Sequence, residues 1–395
     1  MIEGEYFWTL SEKGCGIMQY KPFKNDSLSC LGMGNMRLPT QGEGRNATID
    51  FEKSQEILDY AMAHGINYYD TAHVYNNGQS EATLGKALKK YPRESYRLAT
   101  KYNAMAASDY VGMFEQQLER LQTDYVDFYL MHAVMNEDSI HNYLESGAVE
   151  YFLEQKEKGR IRNLGFSSHA PVEILDKFAS HHPWDFAQIQ LNYLDWTLQD
   201  AKGQYECLTS KGIPVVVMEP VRGGRLASLS PAADAMLKAA QPDWSIASWA
   251  FRWLMRLDNV QVILSGMSNM EQIIDNVSTF DNYAPLTDEQ AELLMQACDL
   301  FRGEITVPCT ACHYCTDDCP MEIDIPAVMS AYNAYKLNPG PMGLRRVMEM
   351  QTGPRDCIGC GACARHCPQG IQIPDIMAEL AAELDKMPPM EGPRP

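Results

Sequence analysis

From about residue 29 to residue 280 the chain alternates short apolar runs with longer amphipathic segments. The short runs cover residues 28–33, 66–69, 96–100, 126–131, 161–166, 186–187, 213–218 and 260–264. They are β-rich and do not alternate with polar residues, which predicts parallel strands buried on both faces. Between them the apolar period becomes helical, as over residues 51–64, 81–89, 110–121, 143–158, 172–180 and 245–257. The fourth of these ends just before Gly159, a residue type that commonly caps helices. Eight strands, each followed by a helix or loop, predict an α/β fold: a (β/α)8 TIM barrel. A doubly wound sheet is the alternative. It normally carries a Gly-rich phosphate loop after its first strand, and Gly32-x-Gly34-Asn35-Met36 is not that loop.

A further helix over residues 287–301 leads into a region of different character. We therefore divide the chain into a barrel, residues 1–300, and a small second domain, residues 301–395. Eight of the twelve cysteines lie in the second part, in two copies of one spacing. The copies are Cys309-x2-Cys312-x2-Cys315-x3-Cys319-Pro320 and Cys357-x2-Cys360-x2-Cys363-x3-Cys367-Pro368. This is the bacterial ferredoxin run for [4Fe–4S] clusters, in which the fourth cysteine ligates the other cluster. The expected ligand sets are Cys309, Cys312, Cys315 and Cys367 for one cluster, and Cys357, Cys360, Cys363 and Cys319 for the second. Zinc knuckles use paired C-x2-C units and need neither the third cysteine at the same step nor the Cys-Pro. Disulfides would need a secreted chain. A helix over residues 327–337, stopped by Asn338-Pro339-Gly340-Pro341, separates the runs, and the tail from Met387 is expected to fray. Cys15, Cys30, Cys207 and Cys298 are scattered and read as small buried hydrophobes.

Composition adds exclusions. The formal net charge is −19, which disfavours nucleic acid and anionic membrane as partners and would suit a basic redox protein. With 45% hydrophobic residues there is ample core, yet no apolar run approaches a membrane span. The start, Met1-Ile2-Glu3-Gly4-Glu5, has no basic region and no apolar stretch of a secretory leader. A cytoplasmic protein is expected.

In a TIM barrel the chemistry sits at the C-terminal ends of the strands. Those ends read Asp70, Lys101, His132, Ser167, Gln188 and Glu219. Charges directly after apolar strands are costly unless they pair. Tyr75 follows Asp70 by one loop step. The stretch Asn67-Tyr68-Tyr69-Asp70-Thr71-Ala72-x-x-Tyr75, with Ser80-Glu81 and Leu84-Gly85, resembles the aldo-keto reductase signature. Leu121-x-Thr123-Asp124-Tyr125-Val126-Asp127-x-Tyr129-Leu130-x-His132 is similar to its second motif, and Lys158-Gly159-Arg160-Ile161-Arg162-x-x-Gly165-Phe166-Ser167 to its fifth-strand region. The resemblance covers residues 19–282, and the appended cysteine runs resemble the iron–sulfur branch of that family.

The tetrad also makes chemical sense without the resemblance. A hydride arriving at a carbonyl carbon leaves an alkoxide that needs a proton. Tyr75 can give it, but a free phenol has a pKa of about 10. An ammonium nearby, Lys101 held by Asp70, is expected to lower that pKa. His132 can orient the carbonyl oxygen. The bland reading is a barrel ion pair, Asp70–Lys101, with Tyr75 and His132 as packing. Four such groups on adjacent strand ends favour the chemical one.

The resemblance implies a nicotinamide cofactor, NAD(H) or NADP(H), whose carboxamide would sit on Ser167 and Gln188. Ser168 stands where the family often has Asn. Met218 occupies the place of a stacking aromatic, and Arg222, Gly224 and Arg225 form a loop suited to a pyrophosphate. Ser265 and Asn269 lie where NADPH-specific members place Lys and Arg. Between Ser265 and Gln272 there is no cation and there is an acid, Glu271, so NAD(H) is expected. Substrate-facing candidates by position are His73, Tyr102, Asn103, His169 and Tyr193. Three functions remain open from the residues. The first is a nicotinamide-linked oxidoreductase of a small carbonyl or alcohol. The second is a flavin-linked redox enzyme, since clusters move single electrons and nicotinamide moves pairs. The third is a non-catalytic electron-transfer or oxygen-sensing protein.

Overall fold

The structure, a computed structural model, describes residues 18–42, 47–303, 306–337, 344 and 347–386. The expectations made for residues 1–5, Cys15, residues 338–341 and residues 387–395 lie outside the described residues.

Eight parallel strands form a closed barrel in sequence order: β1 (Leu31–Gly34), β2 (Tyr68–Asp70), β3 (Arg97–Tyr102), β4 (Val126–Val134), β5 (Ile161–Ser168), β6 (Ala187–Gln190), β7 (Val215–Met218) and β8 (Val260–Ser265). The seam closes with Ile263 opposite Leu31 and Ser265 opposite Met33. This settles the barrel against the doubly wound sheet. The strands read as unbroken apolar runs because both faces are covered. Inside, Tyr68, Phe128, Leu130, Phe186, Val216 and Val262 fill the barrel. Outside, the amphipathic helices pack on the opposite faces of the strands. Asp50 and Asp109 cap the helices Phe51–Ala63 and Tyr110–Leu121 by accepting from backbone N–H groups, so the polar residue before each apolar period marks its start.

Three sequence expectations needed correction. The run at residues 28–33 is not one strand. Asp26–Ser29 pairs antiparallel with Tyr20–Phe23 in a hairpin, and the chain enters β1 only at Leu31. Phe23 and Leu28 from that hairpin join the interior cluster with Tyr68 and Phe128. An apolar run bends without losing its apolar character, so periodicity alone does not reveal the break. The helix expected over 143–158 is two helices, Glu137–Glu145 and Ala148–Glu157, separated at Gly147, whose φ of +79° is left-handed. Finally, β4 runs past residue 131 to Val134 through an irregularity between Met131 and Val134, with Ala133 at φ +60°. A bulge re-aims a side chain, and the residue within it is His132.

The helix Asp288–Arg302 packs on the barrel through Leu294, Ala297, Cys298 and Phe301. From Val307 onward the residues join a second core, with Ile323, Val328, Met329, Leu344, Ile373, Met377 and Leu380. The cysteine runs are structural repeats as well as sequence repeats. Ala311 and His313 in the first, and Gly359 and Gly361 in the second, all have positive φ at matching steps. Each run then enters a one-turn helix, Tyr314–Asp317 or Ala362–Arg365. Among the described residues no helix is long and apolar enough to cross a membrane.

Candidate active site

Asp70, at the end of β2, accepts a hydrogen bond from the Lys101 ammonium on β3 at 2.6 Å. The same ammonium donates to the Thr71 carbonyl at 2.7 Å. The pair is fully buried. Burial pushes the Asp70 carboxyl up and the Lys101 ammonium down, and each partner's charge opposes that. The second carboxylate oxygen of Asp70 has no partner. Lys101 Nζ lies 4.9 Å from the centroid of the Tyr75 ring, and that ring meets His132 edge-on, 6.0 Å between centroids at 80°. The four side chains therefore converge at the mouth of the barrel.

The expected lowering of the Tyr75 pKa is not what this geometry produces. Burial raises it well above its ordinary value, and the neighbours Tyr314, Asp70 and Glu219 add to the rise. The ammonium stands over the ring. Tyr75 is thus held as a neutral phenol. Burial, with Lys101 beside it, pushes His132 well below the ordinary histidine range, so its imidazole is neutral too. Its Nδ1 has no partner.

Beside these groups a cleft of about 1150 Å3 opens between the ends of β7, β8, β1 and β2. Gln188, Met218, Gly224, Ser265 and Asn269 line it, as expected for a cofactor site. Gln188 donates to the Met218 sulfur at 3.6 Å and leaves its carbonyl oxygen unpartnered. Ser265 accepts from Asn276 at 3.0 Å, and Asn269 caps the helix Met270–Asp281. Arg37 also lines the cleft and was not singled out from the sequence. It lies in the loop after β1, packed at Gly266. Glu219 faces the cleft with one oxygen unpartnered, and burial pushes its carboxyl up to about 7.

The cysteines gather in two fours. Cys309, Cys312, Cys315 and Cys367 line one cavity, while Cys319, Cys357, Cys360 and Cys363 line another. This is the crossed arrangement expected from the spacing. Among the described residues no group of three or more His, Cys, Asp or Glu is drawn together as for a metal ion. The thiols of each four instead line a shared space. Burial pushes Cys312 up to about 12, so a thiolate there needs a metal's positive charge.

Residues 30–299 match the Aldo/keto reductase family. The chain belongs to that family. Residues 308–371 match the 4Fe-4S dicluster domain, so this aldo/keto reductase carries an iron–sulfur domain on its barrel. It is 27% identical over 300 residues to the uncharacterized oxidoreductase YqkF of Bacillus subtilis, covering 68% of this chain and 92% of the relative. It is 25% identical over 320 residues to the NADH-specific methylglyoxal reductase of Escherichia coli, covering 68% and 96%. Among solved structures, the holo form of aldo-keto reductase AKR11C1 from Bacillus halodurans superposes with a TM-score of 0.58 at 27% identity, covering 71% of this chain and 96% of that one. This aldo/keto reductase is an oxidoreductase of the type that acts on carbonyls and alcohols.

Not every expected cofactor residue faces the cleft. Ser167 is buried and its hydroxyl accepts from Ala133 N–H at 2.9 Å, which supports the bulge under His132. Arg222 is a larger departure. Its guanidinium is buried, donates to both Asp195 carboxylate oxygens at 3.0 Å, and reaches the Pro308 carbonyl at 2.8 Å. It therefore fastens the iron–sulfur domain to the barrel and does not face a pyrophosphate. Arg225 lies 5.4 Å from the centroid of the Phe301 ring. Of the substrate-facing candidates, Asn103 and His169 line a second cavity over β4, while Tyr102 and Tyr193 are buried.

Other groups join Arg222 at the seam. Arg37 donates to the Ala311 carbonyl at 2.7 Å, and Gln369 bonds to Gln190 and Gln199. Gly223 touches the domain most closely. Its φ is +63°, and a Cβ there would lie 2.0 Å from the Thr310 carbonyl oxygen. A left-handed non-glycine residue alone costs roughly 1–2 kcal/mol. Gly223→Ala is expected to keep its iron but to raise amide hydrogen exchange at residues 310–314. Unchanged exchange there would show that the loop does not hold the domain.

Proposed function

We propose that this chain interconverts a carbonyl and an alcohol by hydride transfer with a nicotinamide, and that its second domain holds two [4Fe–4S] clusters. The convergence of Asp70, Tyr75, Lys101 and His132 beside a dinucleotide-sized cleft carries this reading. When bound, the nicotinamide supplies or accepts the hydride. Gln188, with its free carbonyl oxygen, would receive the carboxamide, and Met218 would contact the ring through a polarizable thioether. Tyr75, kept neutral by burial, donates its proton to the alkoxide oxygen in reduction and recovers it in oxidation. Lys101, 4.9 Å from the centre of the ring, offsets part of the charge on the phenolate left behind, less than burial costs. A buried nitrogen without a partner is less costly as a lone pair than as an N–H. That places the His132 proton on Nε2, free to bond the carbonyl oxygen.

The cleft supports NAD(H) over NADP(H). A 2′-phosphate carries close to two negative charges. The wall near Asn269 presents Glu271 and Asp275, and its cation, Arg37, donates from one guanidinium nitrogen to the Ala311 carbonyl. Dissociation constants for the four nucleotides at fixed ionic strength test this. NAD(H) is expected to bind more tightly. Tighter NADP(H) binding, abolished by Arg37→Ala, would transfer the selecting role to Arg37. A flavin retained on purification, with neither nucleotide bound, would favour a flavin-linked enzyme instead.

A further inference from the structure

The space at the barrel mouth is divided. The cleft described above lies on the β7–β8 side. A second cavity of about 300 Å3 lies over β3 and β4, between the barrel and the iron–sulfur domain. Its barrel wall includes His132, Val74 and Met105, and its other wall includes Asp318, His366 and Pro368. Asp318 and His366 pair with each other across the two cysteine runs. Tyr314 lines both cavities, and its side chain hydrogen-bonds the Tyr75 hydroxyl. It comes from the iron–sulfur domain, as the first residue of the one-turn helix Tyr314–Asp317, between Cys312 and Cys315 in sequence.

We propose that Tyr314 is a positioning residue of the active site, and that the cavity it closes is a substrate subsite built jointly by the barrel and the iron–sulfur domain. The proposal rests on the reading of Tyr75 as proton donor. A phenol oxygen has one proton and two lone pairs. In the resting site the bond favours the protonated Tyr75; when a carbonyl oxygen takes that proton, Tyr314 is free to turn its own hydroxyl to a lone pair of Tyr75. The reversed bond, from the Tyr314 hydroxyl to Tyr75, strengthens as the Tyr75 oxygen gains charge. The subsite is at the small end of ligand pockets, and its walls are largely Val74, Ala104, Met105, Ala133, Met135 and Pro368. It fits a small, mostly apolar aldehyde or ketone, or the corresponding alcohol, with its oxygen beside His132 and directed past Tyr314 to Tyr75, which lines the cleft. The ionic groups of the domain, Asp317, Asp318, Arg365 and His366, stand on the opposite wall.

The test uses the holoprotein and two probes, 4-nitrobenzaldehyde and the bulkier 6-methoxy-2-naphthaldehyde. Tyr314→Phe is expected to lower kcat for 4-nitrobenzaldehyde about tenfold, the worth of one hydrogen bond made better in the transition state. KM, iron content and nucleotide affinity should stay close to wild type. Tyr314→Ala is expected to remove the partition and to favour the bulky aldehyde over the small one. A purely structural tyrosine would instead change iron content or thermal stability and leave kcat alone in the Phe variant. Wild-type kcat in Tyr314→Phe overturns the proposal. If the wild type does not reduce 4-nitrobenzaldehyde, its equilibrium affinity for the nucleotide-bound protein decides. An affinity unmoved by Tyr314→Ala then overturns the subsite. Full activity in Tyr75→Phe would overturn the underlying proton-donor reading, and amide exchange around Tyr75 in Tyr314→Phe would still report whether the inter-domain contact exists.

Discussion

Tyr75→Phe protein is expected to lose turnover by roughly three orders of magnitude, the scale of a positioned general acid. Nucleotide affinity should move less than about twofold, because the hydroxyl acts in the transition state and not in cofactor binding. The substitution removes one atom. The ring keeps its edge-on contact with His132 and its place beneath the Lys101 ammonium. The bond with Tyr314 is lost, at a net cost of about 1 kcal/mol, so the variant should fold. The pH dependence gives a second check with a definite sign. Burial holds Tyr75 protonated well past the ordinary phenol range. Reduction, which needs the proton, should therefore be flat across neutral pH. Oxidation, which needs the phenolate as base, should climb as pH rises. Equal rates in Tyr75→Phe and wild type would remove Tyr75 from the chemistry.

The parts of this molecule that were legible in sequence are those fixed by local spacing. The cysteine runs name their own ligands because three thiolates at this step can cap one cube. Asp70, Lys101 and His132 were legible because a charge at the end of an apolar strand has to find a partner. What spacing does not carry is the direction a loop takes. Arg222 and Arg225 looked like pyrophosphate ligands because two cations flank a Gly pair. In the fold, Asp195 from the loop after β6 captures Arg222 through contacts 27 residues apart in sequence. Arg37 was missed for the converse reason: nothing in its own neighbourhood marks it, and only the closing of β8 on β1 brings it to the cleft. Tyr314 was hidden further still. It sits inside a metal-binding motif, where every signal concerns the cysteines, and its contact with Tyr75 exists only because the second domain docks on the barrel mouth. The sign of the Tyr75 shift failed similarly. Lys101 does stand beside the ring, but burial outweighs the charge of an ammonium 4.9 Å from the ring centre.

Cys319→Ala and Cys367→Ala are expected to damage opposite clusters, each against its position in sequence. Cys319 closes the first run, yet it lines the cavity of Cys357, Cys360 and Cys363. Cys367 closes the second run and lines the cavity of Cys309, Cys312 and Cys315. A four-iron cube left with three ligands is weakly held, so each variant should drop from about eight irons to about four per chain. The thiols of the emptied site then become open to alkylation. In Cys319→Ala these should be Cys357, Cys360 and Cys363, while Cys309, Cys312 and Cys315 stay protected. Cys367→Ala should reverse the pattern. The two variants should also differ in their effect on the barrel. Tyr314 lies between Cys312 and Cys315, and Gln369 two residues past Cys367 bonds to Gln190 at 3.1 Å. Loss of the cube beside them removes the covalent anchor of the helix that carries Tyr314. Cys367→Ala should therefore raise amide exchange around Tyr75, and Cys319→Ala should leave it unchanged. Alkylation confined in each variant to the run that contains the substitution would rule out crossed ligation. Stoichiometric zinc in place of iron, after anaerobic reconstitution of the wild type, would rule out the clusters themselves.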